Sequence, residues 1–227
     1  PYLRQRQMCI RDRYIDHTNL KMDATSKDIA KLCREAIEYG FETVCVNPCY
    51  VPLAKDLLKD TNIGVCTVIG FPLGATTPKV KSFEAIEACD NGADEIDMVI
   101  NVGALKDKDY DFIKKEIEEV RDSIDGKVLK VIIETSLLED DEIIKMTEIC
   151  NETFVNFIKT NTGFGARGVS LHDVELINKH KDELLEIKAS GGIKTFKQMD
   201  ELIKAGATRI GTSHSVDIVT HMKEENK

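Results

Sequence analysis

A chain of 227 residues, 42% of them hydrophobic, has the length that sandwiches and (β/α) barrels reach as single domains, and enough apolar residues for a sizeable core. Its net charge of −9 comes with no basic stripe. That argues against nucleic acid as a partner, but leaves room for a local positive site that takes a small phosphorylated molecule. No apolar run approaches the roughly 18 residues of a membrane span. The seven cysteines, an odd number with no CxxC pair, read as reduced thiols of a cytoplasmic protein rather than as disulfides or zinc ligands.

Residues 1–13 hold four arginines and two glutamines without a sustained period, and read as a non-native or disordered leader outside the fold. From Tyr14 short apolar runs alternate with longer amphipathic ones. Tyr14–His17 reads as a weak strand, and Asp23–Gly40 as a helix with Ile29, Leu32, Cys33, Ala36 and Ile37 on one stripe. Thr43–Asn47 is the second strand, followed by a short helix over Val51–Lys59. Gly64–Ile69 is the third strand, and Thr77-Pro78 supplies an N-cap and first-turn proline for a helix to Asn91.

The unit then repeats: strand Glu95–Ile100 and helix Tyr110–Ser123, strand Val128–Glu134 and helix Glu139–Thr153. Phe157–Thr160 is the sixth strand, and Ser170 with Asp173 makes a capping-box start for the next helix. Glu186–Ala189 and helix Phe196–Ala205, then Thr208–Gly211 and a partial helix over Val216–Met222, complete the pattern before a loose tail at 223–227. Regular β-then-α alternation implies a parallel sheet, and eight units in this length predict a closed (β/α)8 barrel over residues 14–222. An open doubly wound sheet is the alternative, weakened by the lack of a G-x-G-x-x-G after the early strands.

In such a barrel the active site lies at the C-terminal ends of the strands, and polar residues fall there. Asp16 ends the first strand, Cys45 and Asn47 the second, Glu134 and Thr135 the fifth, Lys159 the sixth and Lys188 the seventh. In Glu95–Ile100, alternation turns Ile96, Met98 and Ile100 to the helices and Asp97 to the barrel interior, where a carboxylate needs a cationic partner. A lysine carried into a packed interior loses its proton more easily, and a neutral amine attacks a carbonyl to form a Schiff base. A second lysine nearby disfavours the charge of the first and, with Asp97, can move the protons a carbinolamine and enamine require. Charge logic alone leaves the roles of Lys159 and Lys188 exchangeable. Asp16, Thr18 and Cys45 read as supporting residues. Thr162-Gly163, Gly191-Gly192 and Gly211-Thr212-Ser213 put small residues at strand ends, where a barrel commonly holds phosphate. The five histidines are scattered, so neither a metal nor an organic cofactor is expected; the Schiff-base lysine would itself be the electron sink.

Seven ordered blocks, including Ile15-Asp16-His17-Thr18, Asp94-Glu95-Ile96-Asp97, Lys130 to Thr135, the Lys159 stretch and Lys188-Ala189-Ser190-Gly191-Gly192-Ile193, resemble the deoxyribose-phosphate aldolases, Schiff-base (class I) aldolases on a TIM barrel. The resemblance runs from Tyr14 to about Val219. It implies reversible cleavage of 2-deoxy-D-ribose 5-phosphate to D-glyceraldehyde 3-phosphate and acetaldehyde, with Lys159 as Schiff-base lysine and Asp97 and Lys188 as the proton-relay pair. Family members are often homodimers, although no stretch here marks an interface. Asn161 and His214-Ser215 stand where the family usually has serine and Ser-Gly, and Arg167 where a small residue is usual. Arg167 and His214 are expected near the phosphate, bearing on affinity and substrate range.

Overall fold

The computed structural model describes residues 14–225; the leader expected over residues 1–13 lies outside them. The chain runs β1 (Ile15–Asn19), α1 (Ser26–Tyr39), β2 (Thr43–Val46), α2 (Val51–Leu58), β3 (Gly64–Ile69), α3 (Pro78–Asp90), β4 (Glu95–Val99) and α4 (Val102–Lys106). It continues through α5 (Tyr110–Ser123), β5 (Val128–Ile132), α6 (Asp140–Glu152), β6 (Phe157–Lys159), α7 (Leu171–His180), β7 (Glu186–Ser190), α8 (Phe196–Lys204), β8 (Arg209–Thr212) and α9 (Ser215–Glu225). The eight strands form one closed parallel barrel in sequence order, with β8 pairing back onto β1. The single-domain (β/α)8 barrel expected from the alternation is therefore the fold.

The main core lies between the barrel's outer face and the helices, and Ile96, Met98 and Ile100 belong to it, as alternation requires. Inside the barrel the apolar contribution is small: Leu20, Cys45, Cys66 and Val68. Buried charged side chains, Asp16, Glu95, Asp97, Lys130, Lys159, Lys188 and Arg209 among them, share that interior. A further buried ion pair ties the helix layer to the barrel, since Lys81 on α3 meets Glu116 on α5 at 2.5 Å and also donates to the Val99 carbonyl at 2.8 Å.

Helix starts follow local chemistry. Capping boxes at Thr25, Ser170 and Thr195 satisfy first-turn N–H groups. Thr77 occupies the N-cap of α3 with Pro78 behind it, but its side chain makes no cap hydrogen bond, in contrast to the expected role. The short α4, capped by the Asn101 side chain, is too brief for periodicity to reveal. The last helix continues to Glu225, past the Met222 end that the sequence suggests. The fifth strand stops at Ile132, two residues before Glu134, which turns into the left-handed region at φ 55°. Four hydrogen bonds to its carboxylate, from Ser136, Asn161 and both donors of Thr162, offset the cost of that backbone.

Candidate active site

Register brings the predicted residues to one place. Asp97 pairs in register with Lys130, Ile132 with Lys159, and Lys159 with Lys188. Asp97 is fully buried, and one of its oxygens accepts from both predicted lysines: Lys159 Nζ at 2.8 Å and Lys188 Nζ at 2.6 Å. Burial by itself would raise the Asp97 carboxyl, yet Lys130, Lys159 and Lys188 together hold it well below the usual carboxylate range. For Lys188 burial pushes the opposite way, and the Asp16 and Asp97 carboxylates overcome it, so this ammonium is held above the ordinary lysine value. The two lysines differ in what surrounds them. Lys188 is bracketed by Asp16 at 2.5 Å and Asp97, whereas Lys159 among the described residues pairs with Asp97 alone and opens onto a cavity of about 670 Å³ at the barrel mouth.

Among the supporting residues, Asp16 meets Arg209 at 2.7 Å as well as Lys188. Thr18 lines the cavity and donates to the Asp16 carbonyl at 2.8 Å. Cys45 lies behind it, fully buried beside Cys66. Sequence reasoning missed Lys130, Glu95, Arg209 and Cys66. Lys130 was legible: it sits directly across from Asp97, and the alternation that turns Asp97 inward turns Lys130 inward too. Cys45, Cys66 and Asp97 offer ligand atoms within 4.8 Å of one another. The Lys130 ammonium lies 3.2 Å from Cys66 Sγ and 2.8 Å from Asp97 and opposes a cation there.

The predicted phosphate residues also line the cavity: Thr162, Gly163, Gly191, Gly192, Gly211, Thr212 and Ser213. Two of them have little left to offer an anion. The Thr162 hydroxyl and N–H both donate to Glu134, and the Thr212 hydroxyl donates to the Ile193 carbonyl at 2.7 Å. Backbone is the better donor, since Gly163, Gly191 and Gly192 all sit at positive φ (88°, 93° and 75°) where a loop turns its N–H groups to one side. Arg167 does not reach the site. It forks onto both oxygens of Asp173 at 2.6 and 3.0 Å and donates to the Thr135 carbonyl, pinning the loop after β6 to α7. His214 does line the cavity. The buried His17 beneath it contacts Ser215 at 3.0 Å and Glu35 at 2.9 Å, tying β1 to α1 and α9. Burial lowers the His17 pKa against the opposing pull of Glu35.

That pinned loop packs against the glycine turn after β7. A Cβ on Gly168 would come 2.3 Å from the Gly191 carbonyl oxygen, a backbone atom with nowhere to go. Gly168→Ala is expected to push the Gly191-Gly192 turn off its position and raise KM for a phosphorylated substrate by about tenfold or more, the equivalent of some 1.4 kcal/mol, with a smaller change in kcat. Steady-state kinetics check this; an unchanged KM would mean that the turn does not hold the substrate.

A parallel barrel whose mouth cavity opens onto a lysine, itself set on a buried carboxylate shared with a second lysine, defines a barrel enzyme of amine chemistry. Residues 10–218 match the family model described as DeoC/LacD family aldolase. The chain is 54% identical to the deoxyribose-phosphate aldolase of Thermococcus kodakarensis, over 94% of this chain and 97% of that one. The crystal structure of a putative deoxyribose-phosphate aldolase from Coccidioides immitis superposes with TM-score 0.92 at 40% identity, covering 95% of this chain and 87% of that one. The tetrameric deoxyribose phosphate aldolase of Aeropyrum pernix gives TM-score 0.88 at 29% identity, with 96% and 97% covered. The chain belongs to the DeoC/LacD aldolase family, and is thus a carbon–carbon lyase.

Proposed function

We propose that this aldolase reversibly cleaves 2-deoxy-D-ribose 5-phosphate to D-glyceraldehyde 3-phosphate and acetaldehyde through a Schiff base on Lys159. The observation that carries the assignment is that, of the buried lysines described, only Lys159 both lines the cavity and has a single carboxylate contact. The neutral amine adds to the C1 aldehyde, and the carbinolamine loses water to give an iminium. Deprotonation of the C3 hydroxyl then breaks the C2–C3 bond, its electron pair flowing into the iminium to leave an enamine. Protonation at C2 and hydrolysis release acetaldehyde and restore the amine. Asp97 Oδ2, between Lys159 and Lys188, is the group through which these protons pass, with Lys188 as the reservoir.

The 5-phosphate is held by the Gly191-Gly192 turn and the loop entering α9, a reading supported by the positive φ of Gly191 and Gly192 and by Lys194, which also lines the cavity. The buried reduced thiols fit a cytosolic setting. By likeness to its relatives the chain assembles as a homo-oligomer; a monomer mass by light scattering would refute that.

The test is borohydride reduction in the presence of deoxyribose 5-phosphate or acetaldehyde, followed by peptide mass mapping. A stable adduct on Lys159 is expected. An adduct on Lys188 would reverse the lysine roles, and none from folded protein would leave only a sugar-phosphate binder. Equal efficiency on deoxyribose and its 5-phosphate would sink the phosphate site.

A further inference from the structure

The buried charges beneath the cavity close on themselves. Asp97 Oδ1 takes Lys130 at 2.8 Å, and Lys130 takes Glu95 at 2.5 Å. Glu95 takes Arg209 at 2.9 Å, and Arg209 takes Asp16 at 2.7 Å. Asp16 takes Lys188 at 2.5 Å, and Lys188 returns to Asp97 Oδ2 at 2.6 Å. The result is a ring of six side chains with anion and cation strictly alternating, drawn from β1, β4, β5, β7 and β8. Three carboxylates face three cations, so the ring is neutral by itself. Lys159 hangs from it at Asp97 Oδ2 as an additional amine that, among the described residues, has no carboxylate of its own.

We infer that Lys130, Glu95 and Arg209 are positioning residues for the aldol reaction, acting through the ring to fix the proton-relay groups Asp97 and Lys188 under Lys159. Each ring member holds the next by a short charged contact, so the two Asp97 oxygens are assigned separate partners. Oδ1 belongs to Lys130 and Cys66, and Oδ2 to the two lysines at the chemistry. Without Lys130, Oδ1 keeps only the weak Cys66 thiol donor at 3.2 Å, and the carboxylate is less firmly held in the orientation that sets Oδ2 under the amine. Without Glu95 or Arg209, the opposite arc of the ring opens and Asp16 no longer has a fixed place from which to hold Lys188. Residues at the lower end of a barrel are ordinarily taken to serve stability. Here the lower residues Glu95 and Arg209 are joined by unbroken ion pairs to the reacting groups. Arg209 also lies over the Phe157 ring at 5.2 Å, and Lys130 at 6.0 Å, so an aromatic plate seats the two cations.

The inference rests on the aldolase reading of Lys159, which the wild-type borohydride adduct tests separately. The variants are Lys130→Met, Glu95→Gln and the double change Lys130→Met with Glu95→Leu, which removes one cation and one anion and leaves the remaining charges balanced. Rates are taken per active site, titrated by the borohydride adduct. Lys130→Met is expected to lower kcat on the order of 10²-fold, as a misplaced catalytic group does, with KM for deoxyribose 5-phosphate held within about twofold, a ratio worth little binding energy. The acid limb of its kcat–pH profile is expected to move to higher pH, because Asp97 has lost a cation. Glu95→Gln, which keeps the shape of the side chain, is expected to show a smaller fall in kcat. The double variant is expected to regain stability without regaining kcat. If kcat per titrated site and the acid limb match wild type in Lys130→Met, the inference is overturned. It is also overturned if the double variant recovers rate together with stability, since that is how a purely structural ring behaves. Should Lys130→Met not fold, the double variant and Glu95→Gln decide by the same two readouts.

Discussion

Lys159→Met is expected to lower kcat on the order of 10⁴-fold or more and to abolish the borohydride adduct, while the protein melts close to wild type. The activity loss follows from the proposed role: among the described residues no other buried amine lines the cavity, and loss of a covalent nucleophile is not made good by the remaining groups. The stability expectation follows from charge balance. Removing Lys159 leaves Asp16, Glu95 and Asp97 opposite Lys130, Lys188 and Arg209, each still in contact with its neighbours. Methionine replaces the buried stem with little change in volume. Lys188→Met provides the contrast, because it takes a cation out from between Asp16 and Asp97, and breaking a buried pair in that way costs about 3–5 kcal/mol. Thermal melts of both variants beside the kinetics check the pair. If Lys159→Met melts as far below wild type as Lys188→Met does, Lys159 is an ordinary member of the buried ion-pair set, and the case for it as the odd amine fails.

Much of this site was legible from periodicity. Asp97, set between Ile96 and Met98, had to face inward, and Lys159 at the end of β6 and Lys188 within β7 had to meet it once eight β–α units closed into a barrel. What stayed hidden was of two kinds. Lys130 obeyed the same alternation but sat in a strand read for its apolar residues, so its ammonium went uncounted. Arg209 and Glu95 stand at strand starts, where a charged residue usually reaches solvent, and only barrel closure from β8 to β1 brings Arg209 onto Asp16. Thr162, Thr212 and Arg167 show the opposite limit. Sequence places a hydroxyl or guanidinium near an anion site, but whether its donors are free depends on Glu134, Ile193 and Asp173, which come from other loops. Glu134 itself, at the end of an apolar run, gave no sign that it would leave the strand and gather four donors.

Asp97→Asn is expected to lower kcat by about 10²–10⁴-fold through loss of the proposed proton relay, and its stability deficit should depend on pH in a way that isolates the charge. In the wild type Asp97 is held well below the usual carboxylate range. Its stabilising contribution is therefore present above about pH 4, the unfolded carboxylate value, and is lost as pH falls through the folded one. Lys130 and Lys188 are held above the ordinary lysine value, against their burial, by Asp97 and its neighbours. Their contribution is thus complete below about pH 10.4 and is lost as pH rises through the folded values. The amide removes the anion common to Lys130, Lys159 and Lys188, a break in a buried set expected to cost about 3–5 kcal/mol near neutrality. Denaturant unfolding of both proteins at acid, neutral and alkaline pH should show that gap at its widest between about pH 4 and 10, narrowing on both sides. A gap of constant size across the range would mean that Asp97 stabilises the barrel by its shape and hydrogen bonds. The charge on the carboxylate, and with it the balance that sets Lys159 apart, would then carry no weight in the fold.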